Sequence, residues 1–167
     1  MSDVKIDIKS LSYEQLNLYL NEFGEKPFRT KQIFKWLHEK NILSFNEMTN
    51  LPKNLIEKLN NKFFLTILKT ELILKSKIDN TIKFLFKLSD GQCIESVLME
   101  YSYGNTICIS SQAGCAMGCK FCASTIDGMV RNLSAGEIIS QILIAQNVLG
   151  ERISNIVLMG SGEPLDN

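Results

Sequence analysis

Through residue 65, apolar residues return every three or four positions, the period of a helix with one buried face. Ser12 and Gln15 have the spacing of a capping box, Leu16, Leu20 and Phe23 follow on one face, and Gly24 supplies a stop. A second helix is predicted after Thr30, with Ile33, Phe34 and Leu37 on one side and Lys31, Lys35 and His38 elsewhere. Pro52 suits the first turn of a third, through Leu55, Ile56 and Leu59. From Leu68 the period falls towards two. "ILKTELILKSKI", "TIKFLFKL", "QCIESVLMEY" and "NTICISS" read as four strands of an antiparallel sheet, separated by turn signals at Asp79-Asn80, Ser89-Asp90-Gly91 and Tyr103-Gly104. A second capping box, Ser134 with Glu137, opens a helix whose broad apolar face is Ile138, Ile139, Ile142, Leu143 and Ala145, and Gly150 closes it. "NIVLMGSGEP" then reads as a buried strand running into a glycine-rich turn. Strand, loop, helix, strand is a βαβ unit. Because the sequence stops at Leu165-Asp166-Asn167 after a single parallel pair, it reads as the first part of a larger α/β fold.

Composition narrows the class. Hydrophobic residues make up 45% and charged residues 22%, as in globular domains, and no apolar run is long enough to span a bilayer, so no membrane is expected. The opening "MSDVKIDIKS" alternates charged and apolar residues, unlike a secretory leader, which predicts a cytoplasmic protein with reduced thiols. The net charge of zero conceals segregation. Residues 1–25 carry 2 Lys and Arg against 5 Asp and Glu, residues 26–87 carry 13 against 5, and residues 88–167 carry 3 against 8. The basic middle is either a solvated lysine-rich surface or a phosphate-binding face.

Four of the five cysteines fall in "CISSQAGCAMGCKFC", Cys108 to Cys122. Cys115, Cys119 and Cys122 are spaced C-x3-C-x2-C, with Gly114 and Gly118 loosening the backbone around them. A zinc site needs a fourth ligand, to be sought at Cys108, Cys93 or His38. A ferredoxin-type cluster needs a fourth cysteine and a proline that this loop lacks. The spacing favours an iron–sulfur centre over zinc or buried structural thiols. Three thiolates on a cubane leave one iron free for a substrate or cofactor.

That spacing, with Phe121 before the last cysteine, resembles the signature of radical S-adenosylmethionine enzymes. "MGSGEP", Met159 to Pro164, is similar to the superfamily's motif for the cofactor's amino group. More narrowly, "SSQAGCAMGCKFC", Gly128, Arg131-Asn132-Leu133, "GEII" and "MGSGEPL", with "FRTKQIFKWLHEK" and "FNEMTNLPKNL" upstream, resemble the RlmN family of dual-specificity RNA methyltransferases.

The resemblance implies an α/β fold: the start of a radical-SAM partial (β/α) barrel, truncated, preceded by a small helical domain and an antiparallel β extension. The implied domains are a helical accessory RNA-binding domain at 1–65, a β extension at 66–100 and a truncated core at 101–167. The implied activity is methylation of carbon 2 of an adenine in 23S rRNA and of one beside the anticodon in tRNA. In the family a cysteine near the C-terminus carries the methyl group, a radical activates it, and a second cysteine resolves the protein–RNA adduct. The implied cofactors are a [4Fe-4S] cluster on Cys115, Cys119 and Cys122, and S-adenosyl-L-methionine at Gly162 and Glu163. Cys108 resembles the resolving cysteine. Glu95, which shares a strand face with Cys93, Val97 and Met99, resembles the proton acceptor, an isolated carboxylate being costly on an apolar face. The resemblance further implies a flavodoxin or ferredoxin as electron donor, a monomer, and a disulfide among the family's features.

No cysteine follows Cys122, so a chain with this sequence is expected not to turn over by itself. Lys31, Lys35, Lys53 and Lys58 are candidate phosphate contacts, each of which could equally be a solvated helix lysine. Cys93 has no assigned role. The alternatives are a Cfr-type carbon-8 methyltransferase, a zinc-stabilised RNA-binding module without catalysis, and an electron-carrying iron–sulfur protein.

Overall fold

The computed structural model describes residues 4–40 and 42–167. Asn41 and the opening Met1–Asp3, the start of the stretch read against a secretory leader, lie outside the described residues. The chain divides into two compact units, residues 1–66 and 67–167. Among the described residues no helix is long and apolar enough to cross a membrane.

In the first unit, strand β1 (Ile6–Asp7) is followed by helices α1 (Tyr13–Glu22), α2 (Phe28–His38) and α3 (Lys53–Lys62) and by strand β2 (Phe63–Phe64). Ser12 and Gln15 form both halves of the expected capping box. Helix α2 begins at Phe28, ahead of Thr30, because Pro27 already holds helical backbone angles and starts the turn. Pro52 is the residue before α3, not inside it. The three helices bury Leu16, Leu20, Ile33, Leu37, Leu55 and Leu59 in one core. The parallel pairing of β1 with β2 has no signal in the sequence, since two residues show no period. Asp7 fixes it. Its carboxylate accepts from the Thr66 hydroxyl (2.6 Å), the Ser10 hydroxyl (2.6 Å) and the Thr66 and Lys9 amides (3.2 Å each).

The second unit is built on a five-stranded sheet. Its strands are β3 (Lys69–Lys75), β4 (Ile82–Lys87), β5 (Cys93–Tyr101), β6 (Gly104–Cys108) and, last in the chain, β9 (Asn155–Val157). They lie in the order β3-β4-β5-β6-β9. The first four are antiparallel neighbours, and β9 joins β6 in parallel after helix α4 (Ala135–Leu149), which completes the βαβ unit. The β extension and the start of the core therefore share one open sheet, and among the described residues no barrel is closed. Two short strands between β6 and α4, β7 (Gln112–Gly114) and β8 (Met129–Asn132), form a separate antiparallel ladder.

One face of the large sheet is covered. Phe84 and Phe86 from β4, Ile94 and Leu98 from β5 and Ile107 from β6 form a core with Ile109, Leu133 and Ala145, and Ile138, Ile142 and Ile144 pack against it. Each fully buried Phe, Ile or Leu contributes about 1.5–3 kcal/mol. This register corrects the expectation for Glu95. Cys93, Glu95, Val97 and Met99 occupy the other face, which is open, so the Glu95 carboxylate pays no burial cost there. Strand β5 is internal to the sheet, paired with β4 and β6. Helix α4 departs from its apolar reading too, because Glu137, Ser140 and Gln141 are among its buried residues.

The start of α4 is tied down by charge. Arg131 on β8 makes two 2.8 Å hydrogen bonds to the Glu137 carboxylate and one of 2.6 Å to Asp90 in the β4–β5 turn. Burial pushes the Glu137 carboxyl up, but the Arg131 and Ser134 hydrogen bonds outweigh it and hold the group below its ordinary value. The Arg131 hydrogen bond lowers Asp90 as well.

Both carboxyls therefore bind fewer protons folded than unfolded. The stability they contribute is complete above the ordinary carboxylate range of about 4 and is lost as pH falls through their folded values. Glu137→Gln is expected to destabilise the second unit by about 2 kcal/mol at pH 7. It is also expected to flatten the acid loss of stability, which thermal unfolding at pH 7 and pH 4 would read.

Candidate functional site

Strand β6 leaves the sheet through Ile109-Ser110-Ser111-Gln112, and all four residues are buried. Three polar side chains in a row inside a protein are costly unless each is bonded. The Ser110 hydroxyl donates to the Glu95 carbonyl (2.7 Å) and accepts from the Ser161 amide (3.0 Å). Its backbone is gripped by Gln141 of α4, whose Oε1 accepts from the Ser110 amide (2.9 Å) and whose Nε2 donates to the Ser110 carbonyl (3.0 Å). Ser96 donates to the same Oε1 at 2.7 Å. The Ser111 and Gln112 amides both donate to the Ser161 carbonyl, at 2.9 and 3.1 Å. The Gln112 side chain accepts from the Glu163 amide (3.0 Å) and donates to Asn132 Oδ1 (2.8 Å).

This run suspends two loops from one place. The first is the cysteine loop, residues 115–128, whose ends are closed by the β7–β8 ladder and by the Cys115 amide donating to the Gly128 carbonyl at 3.1 Å. Gly114 has a φ of +75°, and a Cβ there would sit 2.0 Å from the Gly128 carbonyl oxygen, so only glycine fits. Within the loop the Cys122 amide donates to the Cys119 carbonyl (3.0 Å), and the Thr125 hydroxyl bonds the carbonyls of Cys119 (3.3 Å) and Cys122 (2.9 Å). The second loop is the glycine-rich turn after β9. Gly162 has a φ of +104°, and a Cβ on it would lie 2.6 Å from the Cβ of Gln112. The loops meet where the Ser124 and Ser161 hydroxyls hydrogen-bond at 3.1 Å.

The residues singled out in the sequence fall as follows. Cys115 is buried, Cys122 half-buried and Cys119 exposed, while Phe121 is 94% exposed. Among the described residues no three His, Cys, Asp or Glu side chains are set around a common point as a metal requires. Fit to an iron–sulfur cluster accordingly rests on the donor set, three soft thiols on one loop pinned at its ends. The half-buried Glu163 accepts from the Leu165 amide at 3.1 Å and caps the Pro164–Asp166 turn. Cys108 pairs across the ladder with Val97, two positions from Glu95 on the same strand, so Cys108 and Glu95 lie on one open face. Glu95 pairs with Lys83 at 2.7 Å. Cys93 is exposed on that face.

Two expectations need correcting. All five cysteines are free thiols, so no disulfide is present. Lys58 is engaged within its own unit, its ammonium donating to the Phe23 carbonyl at 2.7 Å. Lys35 pairs with Glu39 at 3.4 Å, and Lys31 and Lys53 are exposed. The residues missed in the sequence are Ser110, Gln112 and Gln141. The one available signal was the unbroken polar run "SSQ" at the end of an apolar strand.

Known proteins carry the same arrangement of sequence. The family model described as "Ribosomal RNA large subunit methyltransferase N-terminal domain" matches residues 6–65. A "Probable dual-specificity RNA methyltransferase RlmN" of Clostridium botulinum (strain Alaska E43 / Type E3) is 58% identical over 161 residues, which cover 96% of this chain and 46% of that protein. The protein of the same name from Alkaliphilus oremlandii is 58% identical over 163 residues, 98% of this chain and 47% of its own length. In three dimensions the chain is similar to the crystal structure of a radical SAM methyltransferase from Sphaerobacter thermophilus. The TM-score is 0.87 at 39% identity, over 97% of this chain and 48% of that one. The chain thus spans about half the length of the relatives it matches. Because these matches run through the helical unit, the sheet, the cysteine loop and the glycine-rich turn alike, the chain belongs to the RlmN family and corresponds to the N-terminal part of its members.

Proposed function

We propose that this chain is the N-terminal part of a radical S-adenosylmethionine enzyme that methylates carbon 2 of adenine in 23S rRNA and in tRNA next to the anticodon. The observation that carries the reading is the meeting of the three-thiol loop and the glycine-rich turn at Ser124 and Ser161, both held by the buried run Ser110–Gln112. In this reading Cys115, Cys119 and Cys122 hold a [4Fe-4S] cluster, and Gly162 and Glu163 hold S-adenosylmethionine. Bound there, the pair supplies the one-electron chemistry needed at a carbon that is neither acidic nor nucleophilic.

The chain's own residues do the rest. The half-buried Cys108 thiol and the Glu95 carboxylate face the same side of the sheet. There Glu95, ion-paired with Lys83, takes the proton from carbon 2 and the Cys108 sulfur resolves the adduct. The adenine must be unstacked to reach them, at a cost of about a few kcal/mol. The helical unit supplies exposed cations for phosphate, Lys31 and Lys53 among them. Electrons come from a flavodoxin or ferredoxin. The family's methyl-carrying cysteine has no counterpart in these 167 residues, so the chain alone binds cofactor without turning over.

The test is anaerobic reconstitution with iron and sulfide, followed by electron paramagnetic resonance of the reduced protein with and without S-adenosylmethionine. A cluster signal that shifts on adding the cofactor is expected. A cluster that ignores it, or a colourless protein that takes up zinc instead, overturns the reading. Gly114→Ala is expected to bring iron and sulfide content to background, because the new methyl group forces the loop open at Gly128. Cys93→Ser, on the exposed end of β5, is expected to leave both at the wild-type level.

A further inference from the structure

We infer that Gln112 is a positioning residue that sets the glycine-rich turn for cofactor binding, and that it does so independently of cluster assembly. The inference rests on the reading above, in which that turn meets S-adenosylmethionine. Gln112 is 0% exposed, and its side-chain amide reaches three residues in two segments, β8 and the turn after β9. Oε1 takes the Glu163 N–H at 3.0 Å, while Nε2 gives to Asn132 Oδ1 at 2.8 Å and to Asp166 Oδ2 at 3.4 Å. Its aliphatic carbons lie where a Gly162 side chain would be. The backbone of Gly162 and Glu163 is thereby held at one distance from the strand that opens the cysteine loop.

No other side-chain hydrogen bond among the described residues reaches the Glu163 amide. The cysteine loop, in contrast, is closed by backbone contacts, the β7–β8 ladder and the Cys115–Gly128 hydrogen bond, to which the Gln112 side chain adds only its bond to Asn132. Gln141 offers a comparison within the same fold. It is an equally buried amide, but its partners, Ser110, Ser96 and Glu137, lie in neither loop.

Removing the Gln112 amide while keeping its volume should therefore loosen the turn and spare the cluster. Gln112→Met is expected to keep wild-type iron and sulfide content and the wild-type resonance in the absence of cofactor. The concentration of S-adenosylmethionine needed to shift that resonance should rise about tenfold. Asn132→Ala removes the acceptor that orients Nε2 at an exposed position where folding is not at stake, and should raise the requirement about threefold. Leu98→Ala, a cavity under β5 in the sheet core, should lower the unfolding temperature and leave the requirement unchanged. A wild-type protein whose cluster ignores the cofactor overturns the functional reading. With a responsive wild type, unchanged titrations in Gln112→Met or Asn132→Ala, or a change matched by Leu98→Ala, overturn this inference. Asn132→Ala decides alone if Gln112→Met does not fold.

Discussion

Two serines and a glutamine leave strand β6 at the end of the sheet and enter the protein instead of the solvent. Burying such groups unpaired costs several kcal/mol in total. The backbone amides of all three are bonded, as are the Ser110 hydroxyl and the Gln112 side chain, and the partners are what organise the second unit. Ser110 ties β5, α4 and the turn after β9 together, Ser111 and Gln112 hold Ser161, and Gln112 reaches on to Glu163 and Asn132. Hydrogen bonds are directional where apolar packing is not, so this run sets the loops in register with the sheet rather than merely nearby.

Much of this architecture was legible because it depends on local period. Three helices, four antiparallel strands and a βαβ unit follow from spacing and caps, and the capping boxes at Ser12 and Ser134 are present in full. What was not legible depends on partners distant in sequence. The β1–β2 pair is two residues long and is fixed by Asp7 reaching Thr66. The open face of β5 was misread because Val97 and Met99 look like core residues in an alternating strand, yet Ile94 and Leu98 are the pair that pack on Phe84 and Phe86. The thiols and the glycine turn announced themselves by residue type and spacing. Gln112 and Gln141 did not, because a glutamine on a strand or helix carries no sign of whether its amide meets solvent or backbone.

The position of Glu95 has a chemical consequence. Glu95 and Lys83, 52% and 44% exposed in their side chains, form a pair worth at most about 1 kcal/mol to folding. Neither is needed to hold the sheet together. A group so lightly tied to the fold is free to change partner, and Cys108 on the neighbouring strand shares its surroundings.

The cysteine loop is rigid at its ends and lightly held in its middle. Closing a loop of this length has an entropic cost that grows only slowly with its length, and the β7–β8 ladder and the Cys115–Gly128 bond meet that cost before any ligand arrives. Cys115 is buried at the start of this backbone arc, while Cys119 is exposed and Met117, Phe121 and Ile126 are at least half exposed. A closed loop confines its donors to a small volume without fixing their rotamers, which lowers the entropy lost when they gather on one centre. The hydrogen bond between the Ser124 and Ser161 hydroxyls couples that confinement to the glycine-rich turn, so ordering of either loop restricts the other.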